Sequence, residues 1–289
     1  MTKLPAITTL GAATIDAFVW SRAFSEIRSA QFATGVGECF SLGSKIDIER
    51  FVLSTGGGAT NAAATFANLG FRTACACAVG DDLFGTAVRD DVRGRGIGRQ
   101  AIVTLPGEQT AFSTILVMPS GERTVLVHRG ASETLTAARV PWNKIRGEWL
   151  YATSVGGRLD LFKAALRHAV RARMRVFWNP GGKDIAHGLA ALGPLLRGVS
   201  VLSLNREEAA TLTGRQVKDT EGMLRDLHAF VPGVVFTDGA AGAWWSDGER
   251  LLFAKPSGVK AVNRTGAGAA FGSGFLAGFV CWGDPAKAL

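Results

Sequence analysis

Asn263-Arg264-Thr265-Gly266-Ala267-Gly268-Ala269-Ala270-Phe271 leads from a strand-like run, Val259 to Val262, into an uncharged stretch that ends at Gly283. A strand, a turn of small residues and an apolar helix form a unit of α/β architecture. The turn would put small residues where a helix N-terminus exposes unpaired N–H groups, a geometry that binds anions and phosphate above all. Six glycines interrupt the eighteen residues from Gly266 to Gly283. The run reaches membrane-span length, yet with these glycines it reads as a wholly buried helix of a soluble domain. Gly266-x-Gly268-x-x-x-Gly272 also resembles a loosened dinucleotide fingerprint. Against that reading, the turn lies near the C-terminus, with no following strand to carry a ribose-binding acid.

Upstream, short apolar runs (Ile7 to Leu10, Thr73 to Val79, Arg175 to Trp178, Val199 to Leu204, Gly233 to Thr237) alternate with helical periods (Ala62 to Leu69, Leu159 to Arg173, Glu207 to Leu212). That alternation predicts a mostly parallel sheet with helices on both faces. Residues 17–51 and 109–129 break the rhythm. In the second, Ser113 to Met118 and Arg123 to His128 flank Pro119-Ser120-Gly121-Glu122, a hairpin signal. Both segments suit a small sheet standing apart from the main one as a lid. A second glycine turn, Ser54-Thr55-Gly56-Gly57-Gly58-Ala59-Thr60-Asn61, precedes another apolar helix and offers backbone amides and the Asn61 amide to a hydroxyl-rich ligand.

The chain has 289 residues, 47% hydrophobic and 19% charged, which excludes a disordered tail or a disulfide-stapled miniprotein. The formal charge of +8 raises the question of nucleic acid. Its arginines, however, cluster at Arg89 to Arg95 and Arg167 to Arg175 with spacings that suit outer helix faces, and no aromatic interleaving accompanies them. Neither nucleic acid nor a membrane is therefore expected as a partner. Cys39, Cys75, Cys77 and Cys281 are too few for a disulfide framework, so a cytoplasmic home is expected. Cys75 and Cys77 would point to one side of a strand as buried small hydrophobes.

Taken together, the motifs resemble the PfkB, or ribokinase-like, family of sugar and nucleoside kinases along nearly the whole chain. Gly56-Gly57-x-x-x-Asn61-x-Ala63 with Leu69-Gly70 is similar to the family's N-terminal signature, and Val79-Gly80-Asp81-Asp82-Leu83-Phe84-Gly85 to the segment after it. Asn205-x-x-Glu208, Thr237-Asp238-Gly239-x-x-Gly242 and Thr265-Gly266-Ala267-Gly268 follow in the family's order. The resemblance implies one domain over residues 1–289, a Rossmann-like, doubly wound α/β core with a small β-sheet lid. It also implies ATP and Mg²⁺ as cofactors and a hydroxyl on a small sugar or nucleoside as phosphate acceptor. Asp16, placed at the end of the first strand, would accept substrate hydroxyls, with Gly57 and Asn61 beside it. Asn205 and Glu208 would organise Mg²⁺ through water. Thr237, Gly239 and Gly242 would line the nucleotide, and the amides of Gly266, Ala267, Gly268 and Ala269 would stabilise the transferring phosphoryl group.

Two departures stand against the pattern. Ala269 occupies the position of the family's catalytic aspartate, and alanine cannot accept a proton, so phosphotransfer is expected to be impaired while a backbone anion site survives. Asn263 also stands where the family often has aspartate, a milder change because asparagine still caps a turn. Only twenty residues follow Ala269. The family usually continues with a helix-containing segment on the adenine side, which implies weakened nucleotide binding or a fragment. A non-catalytic sugar- or nucleotide-binding protein on the same fold is the alternative, and a dinucleotide oxidoreductase a more distant one. Arg129 and Asn179 are further pocket candidates, and an exposed face on the lid sheet would let two copies dimerise.

Overall fold

Strands such as Ala6–Leu10 and Trp149–Ala152 have no polar side, and backbones of this kind are stable only when helices cover both faces of the sheet. The computed structural model, which describes residues 4–32, 34–256, 258 and 266–289, has that arrangement. The chain begins with β1 (Ala6–Leu10), β2 (Thr14–Trp20), β3 (Ser25–Arg28), β4 (Val36–Cys39), β5 (Arg50–Gly56), α1 (Gly58–Asn68), β6 (Arg72–Gly80), α2 (Leu83–Gly94) and β7 (Gly98–Leu105). It continues with β8 (Ala111–Val117), β9 (Arg123–His128), α3 (Ala131–Thr134), β10 (Trp149–Ala152), α4 (Leu159–Ala172), β11 (Arg175–Trp178), α5 (Gly182–Ile185), α6 (Gly188–Leu196) and β12 (Val201–Asn205). The last elements are α7 (Arg206–Thr213), α8 (Thr220–His228), β13 (Gly233–Thr237), β14 (Ala243–Ser246), β15 (Leu251–Ala254), α9 (Ala267–Trp282) and α10 (Pro285–Ala288).

The main sheet has nine strands in the order β15-β14-β13-β12-β11-β10-β1-β6-β7. Pairing is parallel from β7 to β13, and β14 and β15 add an antiparallel edge. On one face α1, α2 and α9 bury Phe66, Val88, Val92, Phe275 and Leu276. On the other α4, α6, α7 and α8 bury Phe162, Leu196, Leu212 and Leu227. Cys75 and Cys77 lie on one side of β6 with their sulfurs 3.8 Å apart, in the buried cluster under α1 and α2. The arginines of α4 lie on its outer face, and Arg93 and Arg95 at the end of α2 pair with Asp90 and Asp91, whereas Arg89 turns inward and donates to Ile102 O and Thr104 Oγ1 of β7.

A second sheet, β5-β2-β8-β9, and the ribbon β3-β4 account for the two segments that break the rhythm. The hairpin falls where its turn signal lies, with Met118 N donating to Glu122 O at 2.8 Å. This sheet starts at Thr14, paired with Gly56, so its bounds extend beyond residues 17–51. Asp16 is therefore corrected: it is the third residue of β2, because β1 ends at Leu10 and the chain has already crossed into the small sheet. The expectation of a wholly buried terminal helix is also corrected. In α9, Gly272, Ser273 and Phe275 to Gly278 are buried, whereas Ala267, Gly268, Ala270, Cys281 and Trp282 are exposed. The helix packs on Trp245, α1, β12 and α10, and its exposed residues lie in the first turn and at the C-terminal end. Val259 to Val262, Asn263, Arg264 and Thr265 lie outside the described residues.

The turn between β5 and α1 requires glycine twice. A methyl group at Gly56 would collide with Asp16 Oδ2. Gly57 has φ +99° and would place a Cβ 2.5 Å from Ala12 O. Gly57→Ala combines left-handed strain with a backbone clash, and we expect a loss of about 2–4 kcal/mol in urea denaturation. A loss under about 0.5 kcal/mol would refute this account of the turn.

Candidate active site

β1 pairs with β6 on one side and β10 on the other, so successive strands leave β1 in opposite directions. In open parallel sheets the crevice outside the carboxyl ends at such a switch point is where ligands bind. A cleft of about 150 Å³ lies there, lined by Ala12 and Thr14 after β1, by Ser154, Gly156 and Arg158 after β10, and by the small sheet and α3. Asp16 borders it. Strand register puts Asp16, Ser54, Ser113 and Val127 on one face of the small sheet. Burial pushes the Asp16 carboxyl above its ordinary 3.8, although hydrogen bonds from Ser113 and Thr14 pull the other way.

Several contacts hold this region in register. Asp82 caps α2 by accepting from Gly85 N at 2.7 Å and also accepts from Thr110 N at 2.7 Å and Thr110 Oγ1 at 2.6 Å. Burial raises the Asp82 carboxyl, but these bonds outweigh it and leave it below the usual value. Asp82 thereby ties the start of α2 to the entrance of β8. Asp184 is fully buried and accepts from Val155 N, Gly157 N and Gly181 N at 3.3, 2.6 and 2.8 Å, fixing the loop that lines the cleft.

A second cavity, of about 510 Å³, brings together Thr237, Gly239, Gly242, Ala267 and Gly268, with Phe271 and Leu289 at its wall. Asn205 pairs with Thr237 across β12 and β13. Asn205 and Glu208 form a capping box: Glu208 N donates to Asn205 Oδ1 at 2.7 Å and Asn205 N donates to Glu208 Oε2 at 2.8 Å. Burial pushes the Glu208 carboxyl up, against the bond from Asn205. Arg206 pairs with Asp238 at 2.9 Å, joining the two motifs that flank the cavity. At α9, Gly266 is the N-cap with φ +76°, no side chain among the described residues caps the helix, and its first bond is Ala270 N to Gly266 O at 2.9 Å. The amides of Ala267, Gly268 and Ala269 thus precede the hydrogen-bonded ladder and are free to meet an anion.

The expected residues fall into two groups. Asp16 and Gly57 lie beside the first cleft without lining it, Asp16 bonded to Ser113 and Gly57 against Ala12, with Asn61 exposed in the first turn of α1. Thr237, Gly239, Gly242, Ala267 and Gly268 meet at the second cavity. Gly266, Ala269, Asn205 and Glu208 stand near the second cavity in the chain without lining it, and the packing of α1 against α9 links the two groups. Arg129 lines the cleft, whereas Asn179 donates to Ser203 O at 3.0 Å. Thr110, Ser113, Arg158 and Asp184 were not singled out. Only Asp184 carried a local signal, an acid three residues after Gly181 at a helix start.

The chain belongs to the pfkB family of carbohydrate kinases, which it matches over residues 34–289. It is 31% identical over 246 residues to an ATP-dependent ribose-1-phosphate kinase of Halopiger xanaduensis, covering 82% of this chain and 77% of that protein. Its fold is similar to adenosine kinase from Sinorhizobium meliloti, with TM-score 0.80, 22% identity, and 98% and 90% of the two chains covered. It is also similar to Arabidopsis thaliana ribokinase complexed with ribose and ATP, with TM-score 0.77, 19% identity, and 99% and 89% covered. No described helix is long and apolar enough to cross a membrane.

The raised Asp16 value has a consequence for stability. A carboxyl whose folded value lies above its unfolded one holds its proton more tightly when folded, so its ionisation opposes folding as pH rises through 3.8 and the raised value. Asp16→Asn should therefore be at least as stable as the parent at about pH 7, with the advantage vanishing at about pH 3. Urea midpoints at the two pH values check this, and a variant that is weaker only at neutral pH contradicts it.

Proposed function

We propose that this chain is a phosphotransferase acting from ATP on a hydroxyl of a small sugar or nucleoside, with a catalytic step slowed by Ala269. The observation that carries the proposal is a carboxylate, Asp16, hydrogen-bonded to Ser113 of the switch-point cleft, together with a second cavity whose rim includes Ala267 and Gly268 at the start of α9. Asp16 accepts hydrogen bonds from the acceptor's hydroxyls and holds it beside Gly57 and Asn61. Thr237, Gly239 and Gly242 line the nucleotide, and the amides of Ala267 to Ala269 lie against the transferring group. The acceptor oxygen bonds to the γ-phosphorus as the bond to the departing ADP oxygen breaks. The hydroxyl proton needs a base, and the methyl of Ala269 supplies none, so the proton leaves to water.

Magnesium fits as an ion held chiefly by phosphates and water. Among the described residues no three His, Cys, Asp or Glu side chains form a protein cage, and Glu208 has one carboxylate oxygen not engaged by Asn205. Ala269 itself favours a second reading, a binding protein that retains both cavities without turnover. ADP release over a panel of sugars and nucleosides separates the two. Ala269→Asp should raise turnover by about 10²–10⁴-fold. Equal turnover in parent and variant would show that another group is the base, and silence in both, from folded protein with saturable ligand binding, would favour the binding protein.

Homodimerisation through the small sheet is part of the proposal. Phe51, Leu53 and Leu126 lie on its face opposite Asp16, and each is about half exposed. Sedimentation velocity should show a dimer that Leu53→Glu dissociates. A monomer at high concentration would exclude it.

A further inference from the structure

β12 and β13 run side by side as far as the pair Asn205 and Thr237, and there the two segments part. The first turns into α7, whose first residue is Arg206, and the second enters the turn from Asp238 to Gly242 that leads back along β14. That turn bends on glycines at φ +52° (Gly239) and +117° (Gly242). Its backbone bonds, Asp238 N to Gly242 O at 2.9 Å and Ala241 N to Asp238 O at 2.8 Å, close on the turn itself. Such bonds fix the shape of the turn without fixing its tilt against the sheet.

Arg206 ties the turn to α7. Its Nε lies 2.9 Å from Asp238 Oδ2, with 18% and 24% of the two side chains exposed. The same Nε is buried and makes no hydrogen bond, so the attraction of the Asp238 carboxylate is what offsets its loss of water. The helix itself does not favour an arginine there. A cation in the first turn meets the positive end of the helix dipole, a place suited to acids such as Glu207 and Glu208 beside it. The position of Arg206 thus serves its partner across the gap. Neither member of the pair lines the second cavity, yet Asp238 stands between Thr237 and Gly239, which both line it together with Gly242. α9 contributes Ala267, Gly268 and Phe271 to the same cavity, so the tilt of the turn sets the space between the two.

We propose that Arg206 and Asp238 are positioning residues of this cavity, their ion pair holding the turn at the separation from α9 that an adenine nucleotide needs. The inference rests on the second cavity being the nucleotide site of the kinase proposed above. Calorimetric titration with Mg-ADP of the parent, Arg206→Gln, Asp238→Asn, the double variant and Arg206→Lys tests it, alongside thermal denaturation of each without ligand. Each neutral single variant should bind Mg-ADP at least about tenfold more weakly than the parent, and the double variant should lie within about threefold of the weaker single. Arg206→Lys, which keeps the charge but loses the planar fork, should fall between parent and Arg206→Gln. Titrations well below each melting temperature leave the affinity untouched by a loss of stability alone. An affinity within about twofold of the parent in either single variant, or losses that multiply in the double variant, would overturn the inference even where the melting temperature falls. A single variant that does not fold leaves the other and Arg206→Lys to decide by the same measure. If the parent binds Mg-ADP while these contrary outcomes hold, the inference falls alone. If the folded parent binds none, the kinase proposal falls with it.

Discussion

The position of β1 between β6 and β10 is the constraint on which the molecule depends. A parallel strand buried on both faces cannot return to its neighbour through a tight turn, and each crossover must carry a helix over one face. When the order reverses at β1, the crossovers on its two sides cover opposite faces, and their loops separate at the carboxyl edge. That separation is the cleft. The small sheet reaches it because β2 follows β1 after three residues and β8 and β9 return beside it. The glycines before α1 let the helix start close enough for Asp16 to lie against the turn. The contacts of Asp82 with Thr110 and of Asp184 with three backbone amides then hold the two rims. Removing either carboxylate would strand several backbone donors, which is why positions outside the cleft still determine its shape.

The alternation of apolar runs, the hairpin around Pro119 to Glu122 and both glycine turns were legible in the sequence because each is written within a dozen residues, in strand or helix period and in turn chemistry. Five of the nine main-sheet strands, β1, β6, β11, β12 and β13, fall within a few residues of those expectations, whereas β7, β10, β14 and β15 had no counterpart among them. Asp16 falls on β2 and not at the end of β1. Gly11-Ala12-Ala13 carries neither charge nor proline, so nothing local marks where β1 ends and β2 begins. The exposure of α9 was also hidden. Glycine, alanine and phenylalanine around the whole helix give no polar face from which to read its orientation.

Contacts between distant segments were the least legible. Arg158 meets Ser132 and Leu135 across more than twenty residues, and Arg206 finds Asp238 from the next strand's loop. No periodicity encodes such pairs, because they depend on which loops the sheet order brings to one edge. The capping box at Asn205 and Glu208 shows the converse difficulty. Its spacing is local and visible, yet the same two residues satisfy a structural need and a proposed ionic one. Capping engages Glu208 Oε2 alone, so the second oxygen can serve water and metal without unwinding α7.

The two cavities are built from different material, and this decides how each tolerates change. The second cavity is walled chiefly by glycine and alanine at Gly239, Gly242, Ala267 and Gly268. Helix dipole and N–H geometry there survive replacement of a side chain as long as the turn is kept. The switch-point cleft is lined by side chains, among them Ser113, Arg129 and Ser132, with Asp16 bonded to Ser113 behind them. A single substitution there changes what is recognised. Ala269 lies in the first turn of α9, where its amide precedes the helical ladder and its methyl can accept no proton. Binding of an anion and acceptance of a proton are therefore separable at one residue, and only the second requires more than the main chain.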